Sequence, residues 1–211
     1  MDTFTGIPEA ALDFYGDLQQ NNNRQWWASH KATYDEVVVA PLAALLRELE
    51  PRFGSGKIFR PYKDMRFSAN AEPYKTTQGL FISHYEGVGF YLQLGAGGLE
   101  VGGGYHSFAP AQLSRYRSAV EASVSGKLLA KLTADLVAAG LQIEGQTLAT
   151  VPRGFPKDHP RQELLKHKTL SASVALGTPE WLESVAAKEH ISMLWDQLRP
   201  LIDWIIRFAA P

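Results

Sequence analysis

The chain has 211 residues, 21 Lys plus Arg against 22 Asp plus Glu, and 45% hydrophobic residues, so its formal charge is only -1. That is an ordinary globular balance in a chain long enough to bury its own core, and it excludes disorder along the whole length. Having no cysteine, the chain has no disulfide framework, thiolate metal site or cysteine nucleophile.

Met1 to Gly6 lacks a basic leader followed by an apolar run, and Glu9, Asp13 and Asp17 follow at once, so no signal peptide is expected. The longest apolar-rich stretch, Val37 to Leu46, is too short to cross a bilayer and contains Pro41. A cytoplasmic protein with no membrane partner is the expectation. Residues 8 to 20 read as a helix, with Pro8 in its first turn and Ala11, Phe14, Tyr15 and Leu18 on one stripe. Asn21-Asn22-Asn23 supplies an N-cap for a second stripe of Trp27, Lys31, Tyr34, Val38, Leu42, Leu45 and Leu49, which Pro41 must kink or split.

From Lys57 the hydrophobic period falls to two. Strands are expected at Ile58 to Phe67, Leu80 to Tyr85 and Val88 to Leu94, with a hairpin through Gly95 to Gly98 into Leu99 to Tyr105. Helical spacing resumes at Pro110 and again from about Gly126 to Ala139, stopped by Gly140. Short extended pieces at Leu141 to Ile143 and Leu148 to Val151 precede a polar, proline-marked segment from Pro152 to His167. Thr178-Pro179-Glu180 opens the last helical region, which carries Leu194, Leu198, Leu201, Trp204, Ile205 and Phe208. With no repeat and no linker, residues 1 to 211 read as a single α+β domain. A central, mainly antiparallel sheet with hairpins is flanked by N-terminal and C-terminal helices.

Several chemistries lack their motif. Gly95 to Gly98 lies between strands and Gly102-Gly103-Gly104 lacks a following Lys-Ser or Lys-Thr, so neither reads as a phosphate loop; turns, bulges or close packing are expected. No two of the six histidines form the helical zinc pair, and no metal site is expected. His84 and Glu86 share a strand face, but two ligands do not make a site. There is no Gly-x-Ser-x-Gly elbow for acyl transfer.

The distribution of charge is more informative than its total. Residues 57 to 77 hold Lys57, Arg60, Lys63, Arg66 and Lys75 against Asp64 and Glu72, a net +3. Residues 151 to 170 hold Arg153, Lys157, Arg161, Lys166 and Lys168 against Asp158 and Glu163, again +3, which leaves -7 for the remainder. In a strand, Arg60, Asp64 and Arg66 share one face. They form either a structural ion pair or an anion site in which the two guanidiniums present planar forks and Asp64 either orients them from behind or accepts a proton. Pro73-Tyr74-Lys75-Thr76 would bring the Lys75 ammonium and Tyr74 hydroxyl to the same mouth, unless Tyr74 is a core aromatic. Prolines 152, 156 and 160 stiffen the second basic segment into either a loop held in shape for a purpose or an anchored surface connection.

These residues carry a resemblance to a family, the bacterial and fungal proteins grouped as the domain of unknown function 2461. The matching residues include Asn21-Asn22-Asn23-Arg24-Gln25-Trp26-Trp27, Arg60, Asp64, Arg66-Phe67-Ser68 and Pro73-Tyr74-Lys75-Thr76. Further on they include Arg115, Pro152-Arg153-Gly154-Phe155, His159-Pro160 and Lys168. The resemblance implies no established activity or cofactor, but its motifs coincide with the two basic segments. The expectation is therefore a shared cleft that binds an anionic small molecule through Arg60, Arg66, Ser68, Tyr74, Lys75, Arg153 and Lys168. Asp64 and His159 would be the proton-transfer groups if the protein is an enzyme. Two alternatives stand beside it. One is a nucleic-acid binder that stacks bases on Trp26, Trp27 or Tyr74, and the other is a protein-interaction module using exposed aromatics.

Overall fold

The computed structural model describes residues 3–63, 72–105 and 108–210. Helix α1 (Glu9–Gln20) begins directly after Pro8 and buries the expected stripe of Ala11, Phe14, Tyr15 and Leu18, with Leu12 beside it. Asn23 caps helix α2 (Arg24–Tyr34), its side-chain oxygen accepting the Trp26 N–H at 3.0 Å. Pro41 acts as anticipated, and the form of the break is now visible. Between α2 and helix α3 (Ala40–Phe53) the chain widens into one π turn, Asp35–Val39, where the Ala40 N–H reaches back to the Asp35 carbonyl. A proline ring one residue on crowds the turn before it, and a wider turn relieves the crowding.

The sheet has six strands: β1 (Gly56–Ile58), β2 (Thr77–Tyr85), β3 (Val88–Gly95), β4 (Gly98–Tyr105), β5 (Gln142–Glu144) and β6 (Leu170–Gly177). Their order is β1-β2-β3-β4-β6-β5, an antiparallel open sheet, so the fold class is α+β. The glycines serve the sheet. Gly98 sits at φ +101°, and a Cβ there would lie 2.0 Å from the Gly177 carbonyl oxygen, because β4 and β6 meet backbone to backbone at that point. Strand β6 corrects the sequence reading, which placed no strand between His167 and Thr178. Leu148 to Val151 differs in the opposite sense: it forms no strand, though the Leu148 N–H donates to the Lys166 carbonyl and the adjacent Thr147 bridges to His167. The remaining helices are α4 (Pro110–Glu121), α5 (Ser123–Ala138), the short α6 (Gln162–Lys166) and α7 (Ala186–Phe208). No helix among the described residues is long and apolar enough to cross a membrane.

The chain divides into two compact units. The first comprises the described parts of Met1–Ile82, Tyr91–Val101 and Ala175–Met193, and the second those of Ser83–Phe90, Gly102–Val174 and Leu194–Pro211. In the first, Phe4, Ile7, Leu42, Leu45, Leu49, Leu80 and Ile82 are buried. In the second, Trp195 stacks on Phe90 at 5.4 Å, and the Trp204 indole N–H donates to the Ser125 carbonyl at 2.9 Å. This pairing satisfies the one polar group that burial of an indole would otherwise leave without a partner.

The second unit also buries His167, whose Nδ1–H donates to the Thr169 carbonyl at 3.0 Å. Burial pushes its pKa below the ordinary imidazole value, while the Thr169 carbonyl and Glu163 pull the other way. A group with a depressed folded pKa contributes stability above its unfolded pKa of about 6.5 and loses it as pH falls through the folded value. Acidification from pH 7 to 5 should therefore lower the Tm of the wild type more steeply than that of His167→Asn, which keeps a donor towards Thr169. Parallel Tm profiles would refute this role.

Candidate functional site

The first basic segment is built on a two-stranded pairing with a defined fault. Strand β1 pairs with β2 in the register Lys57↔Phe81 and Ile58↔Leu80, and the Phe59 N–H continues the ladder to the Gly79 carbonyl at 2.9 Å. Farther along, Tyr62 opposes Tyr74, with the Lys63 N–H bonded to Pro73 O at 2.9 Å and the Lys75 N–H to Pro61 O at 2.7 Å. Between these two ladders the Tyr74-to-Gly79 side is two residues longer than the Phe59-to-Tyr62 side, so it bulges. The bulge leaves the Phe59 carbonyl without a ladder partner. Gln78, 1% exposed, supplies one: its Nε2 donates to Phe59 O at 2.6 Å, and its Oε1 accepts the Tyr34 hydroxyl at 2.5 Å. One buried amide thus couples helix α2 to the bulge.

Asn22 holds the other side. Its Nδ2 donates to Tyr74 O at 2.9 Å and its Oδ1 accepts from Tyr74 N at 3.1 Å, the same exchange a neighbouring strand would make. The Tyr74 ring then lies flat on Trp27, with centroids 4.2 Å apart and planes 10° from parallel. Tyr34 and Phe14 complete the cluster around Trp27. Tyr74 is buried in this cluster, and burial raises its phenol pKa, so the ring packs as a core aromatic.

On the solvent side the picture is electrostatic. The Phe59 ring lies across the place where a side chain on Gly79 would stand, since a Cβ there would come within 2.7 Å of it. The ring is 38% exposed, and the Lys57 and Lys75 ammoniums lie 5.6 and 5.7 Å from its centroid. Arg60, the next residue, is exposed. Lys63 is neutralised by Glu72 at 3.1 Å, whereas Lys57, Arg60 and Lys75 form no salt bridge among the described residues. Asp64, Arg66 and Ser68, named from the sequence as site residues, lie outside the described residues, as does the far end of the strand expected there.

Arg153, His159 and Lys168 belong to the second unit, whereas Arg60, Tyr74 and Lys75 belong to the first. Arg153 and Lys168 are exposed. The half-buried His159 accepts the Arg161 N–H on Nδ1 at 3.1 Å, which places the proton of the neutral ring on Nε2. Two cations of this segment are committed, Lys166 to Glu163 at 2.6 Å and Arg161 to backbone. The Arg161 guanidinium donates to Val120 O and Glu121 O, both at 2.7 Å, and so satisfies carbonyls at the C-terminal end of α4. Among the described residues no cluster of three or more His, Asp or Glu is placed to hold a metal ion.

Sequence reasoning counted Lys57 but did not nominate it, and it missed Phe59 and Gln78. The only signal for these lies in the register: Phe59 becomes conspicuous once Gly79 is known to face it. No curated protein and no solved structure matches the chain. The family model for the conserved hypothetical proteins DUF2461 matches residues 10–204, a span that includes both basic segments and the Asn22–Trp27 and Tyr74 motifs joined above, and the chain belongs to that family.

Proposed function

We propose that the protein binds an anionic small molecule, bearing phosphate or carboxylate, on the surface formed by Lys57, Arg60 and Lys75. The observation that carries this reading is the pair of ammoniums on Lys57 and Lys75, gathered around the Phe59 ring with no carboxylate partner among the described residues, with the exposed Arg60 next in the chain and the backbone pinned by Gln78 and Asn22. Like charges held close together repel, and an anion removes that repulsion while gaining charge-assisted hydrogen bonds. The two lysines act as point charges beside Phe59, and Arg60, the next residue, adds a planar fork of the kind that matches a phosphate or carboxylate edge.

The test is thermal stabilisation by pyrophosphate and by citrate at constant ionic strength. A ligand at about 100 times its Kd adds about 2.7 kcal/mol, or roughly 5 to 10 °C in a chain of this size. That shift should vanish in the triple variant Lys57→Ala/Arg60→Ala/Lys75→Ala and survive in Arg153→Ala. Equal shifts in wild type and triple variant, or none in either, would overturn the reading. The exposed ring of Phe59 beside these cations also suits a single-stranded nucleic acid. That alternative predicts an affinity for oligonucleotides that falls steeply with added salt, and a net charge of -1 argues against it.

A further inference from the structure

We infer that the anionic group is carried on a planar ring, and that this ring stacks on the exposed side of Phe59. The inference rests on the anion-binding reading and specifies its ligand class. Phe59 is not a stray surface aromatic. It stands on the same sheet face as Lys57, its ring lies over Gly79, and it runs nearly parallel to Phe81 at 6.5 Å and 16°. The glycine opposite lets the ring lie down across the neighbouring strand instead of standing into solvent, and the bulge pinned by Gln78 fixes the backbone on which the ring sits. What solvent reaches is the 38% of Phe59 that stays exposed, with the ammoniums of Lys57 and Lys75 over its ring, each under 6 Å from the centroid and each on a flexible stem that a ligand can displace.

Such a surface discriminates between anions. A non-planar anion uses the charges and leaves the ring wet. A planar one buries the ring, stacks with it, and presents its own edge substituent at the height of the ammoniums. Aromatic carboxylates and nucleotides share this chemistry, since both join a flat ring to a negative group. Lysine stems lying on Phe59 without any ligand would give the ring a purely structural part, and selectivity separates the two roles.

The experiment compares matched probes on the full chain by calorimetric titration: benzoate against cyclohexanecarboxylate, and AMP against ribose 5-phosphate. The ring-bearing member of at least one pair should bind about two- to tenfold more tightly, the range expected of one aromatic stack. A preference confined to the AMP pair assigns a nucleotide, and one confined to the benzoate pair assigns an aromatic carboxylate. Phe59→Leu, which keeps apolar bulk over Gly79, should bring that ratio to about one without weakening the ring-free partner. If the substituted chain does not fold, the wild-type ratio decides alone. Equal binding within both pairs overturns the ring inference and leaves the anion reading standing. Failure of all four probes, together with pyrophosphate and citrate, overturns both.

Discussion

Gly98→Ala is expected to lower the Tm by roughly 6 to 12 °C, the equivalent of about 3 kcal/mol in a chain of this size. Two independent costs meet at that position. The backbone stands at φ +101°, where a side chain collides with its own peptide, and the added methyl would lie 2.0 Å from the Gly177 carbonyl oxygen and 2.2 Å from its carbon. Neither atom is the end of a flexible side chain, so relief requires β4 and β6 to move apart. Gly97→Ala, one residue earlier, is the control. It has no atom within 4 Å of the new methyl and no positive φ, and its effect should stay within about 0.5 kcal/mol. Similar Tm values for the two variants would show that β4 and β6 part easily at Gly98 and Gly177.

Gln78→Met should cost about 2 to 5 kcal/mol in urea denaturation, although the side chains are of similar size. The loss is polar: the Tyr34 hydroxyl and the Phe59 carbonyl would each lose a buried partner, at about 1 to 3 kcal/mol apiece. A second substitution isolates the term. Tyr34→Phe removes the stranded hydroxyl, so Tyr34→Phe/Gln78→Met should be more stable than Gln78→Met alone. Simple additivity of the two single costs would show that the amide does not bridge them. Because Gln78 sets the bulge between Phe59 and Lys75, the same variant should also lose stabilisation by pyrophosphate.

The fold was legible where one side chain pattern dominated. The α1 stripe, the β2-β3-β4 meander with its alternating Val88, Phe90, Leu92 and Leu94, and the proline-opened α4 all follow from period and punctuation. Strand β6 was missed although Leu170-Ser171-Ala172-Ser173-Val174 alternates apolar with polar residues, because Ala and Ser are small and only weakly distinguished in hydrophobicity. Ala172 and Ser173 are buried through the position of the strand between β4 and β5 rather than through their own hydrophobicity. Helix α5 begins at Ser123, ahead of the expected Gly126, since Gly126 lies inside the helix where a Cβ would meet the Val120 carbonyl at 2.0 Å.

For the site, counting charges located the segment around Lys57 to Lys75, but a count cannot tell a paired cation from a free one. Lys63 is spoken for by Glu72, and Arg161 closes the end of α4 through carbonyls some forty residues earlier. The role of Asn22 was equally hidden, because its partner Tyr74 stands 52 residues away and is contacted through backbone atoms that any residue would offer.

The π turn at Asp35–Val39 makes chain length, as well as composition, a constraint on this part of the molecule. A wide turn holds more chain than an α turn, and each residue of an α-helix advances about 100° around its axis. Deleting one residue there would restore ordinary helical winding and swing α2 by about that angle relative to α3. Trp27 would leave Tyr74, and the Tyr34 hydroxyl would leave Gln78. Substitutions at the exposed Asp35 and Glu36 change surface chemistry, whereas a single-residue deletion there is read as a rotation of the whole aromatic platform.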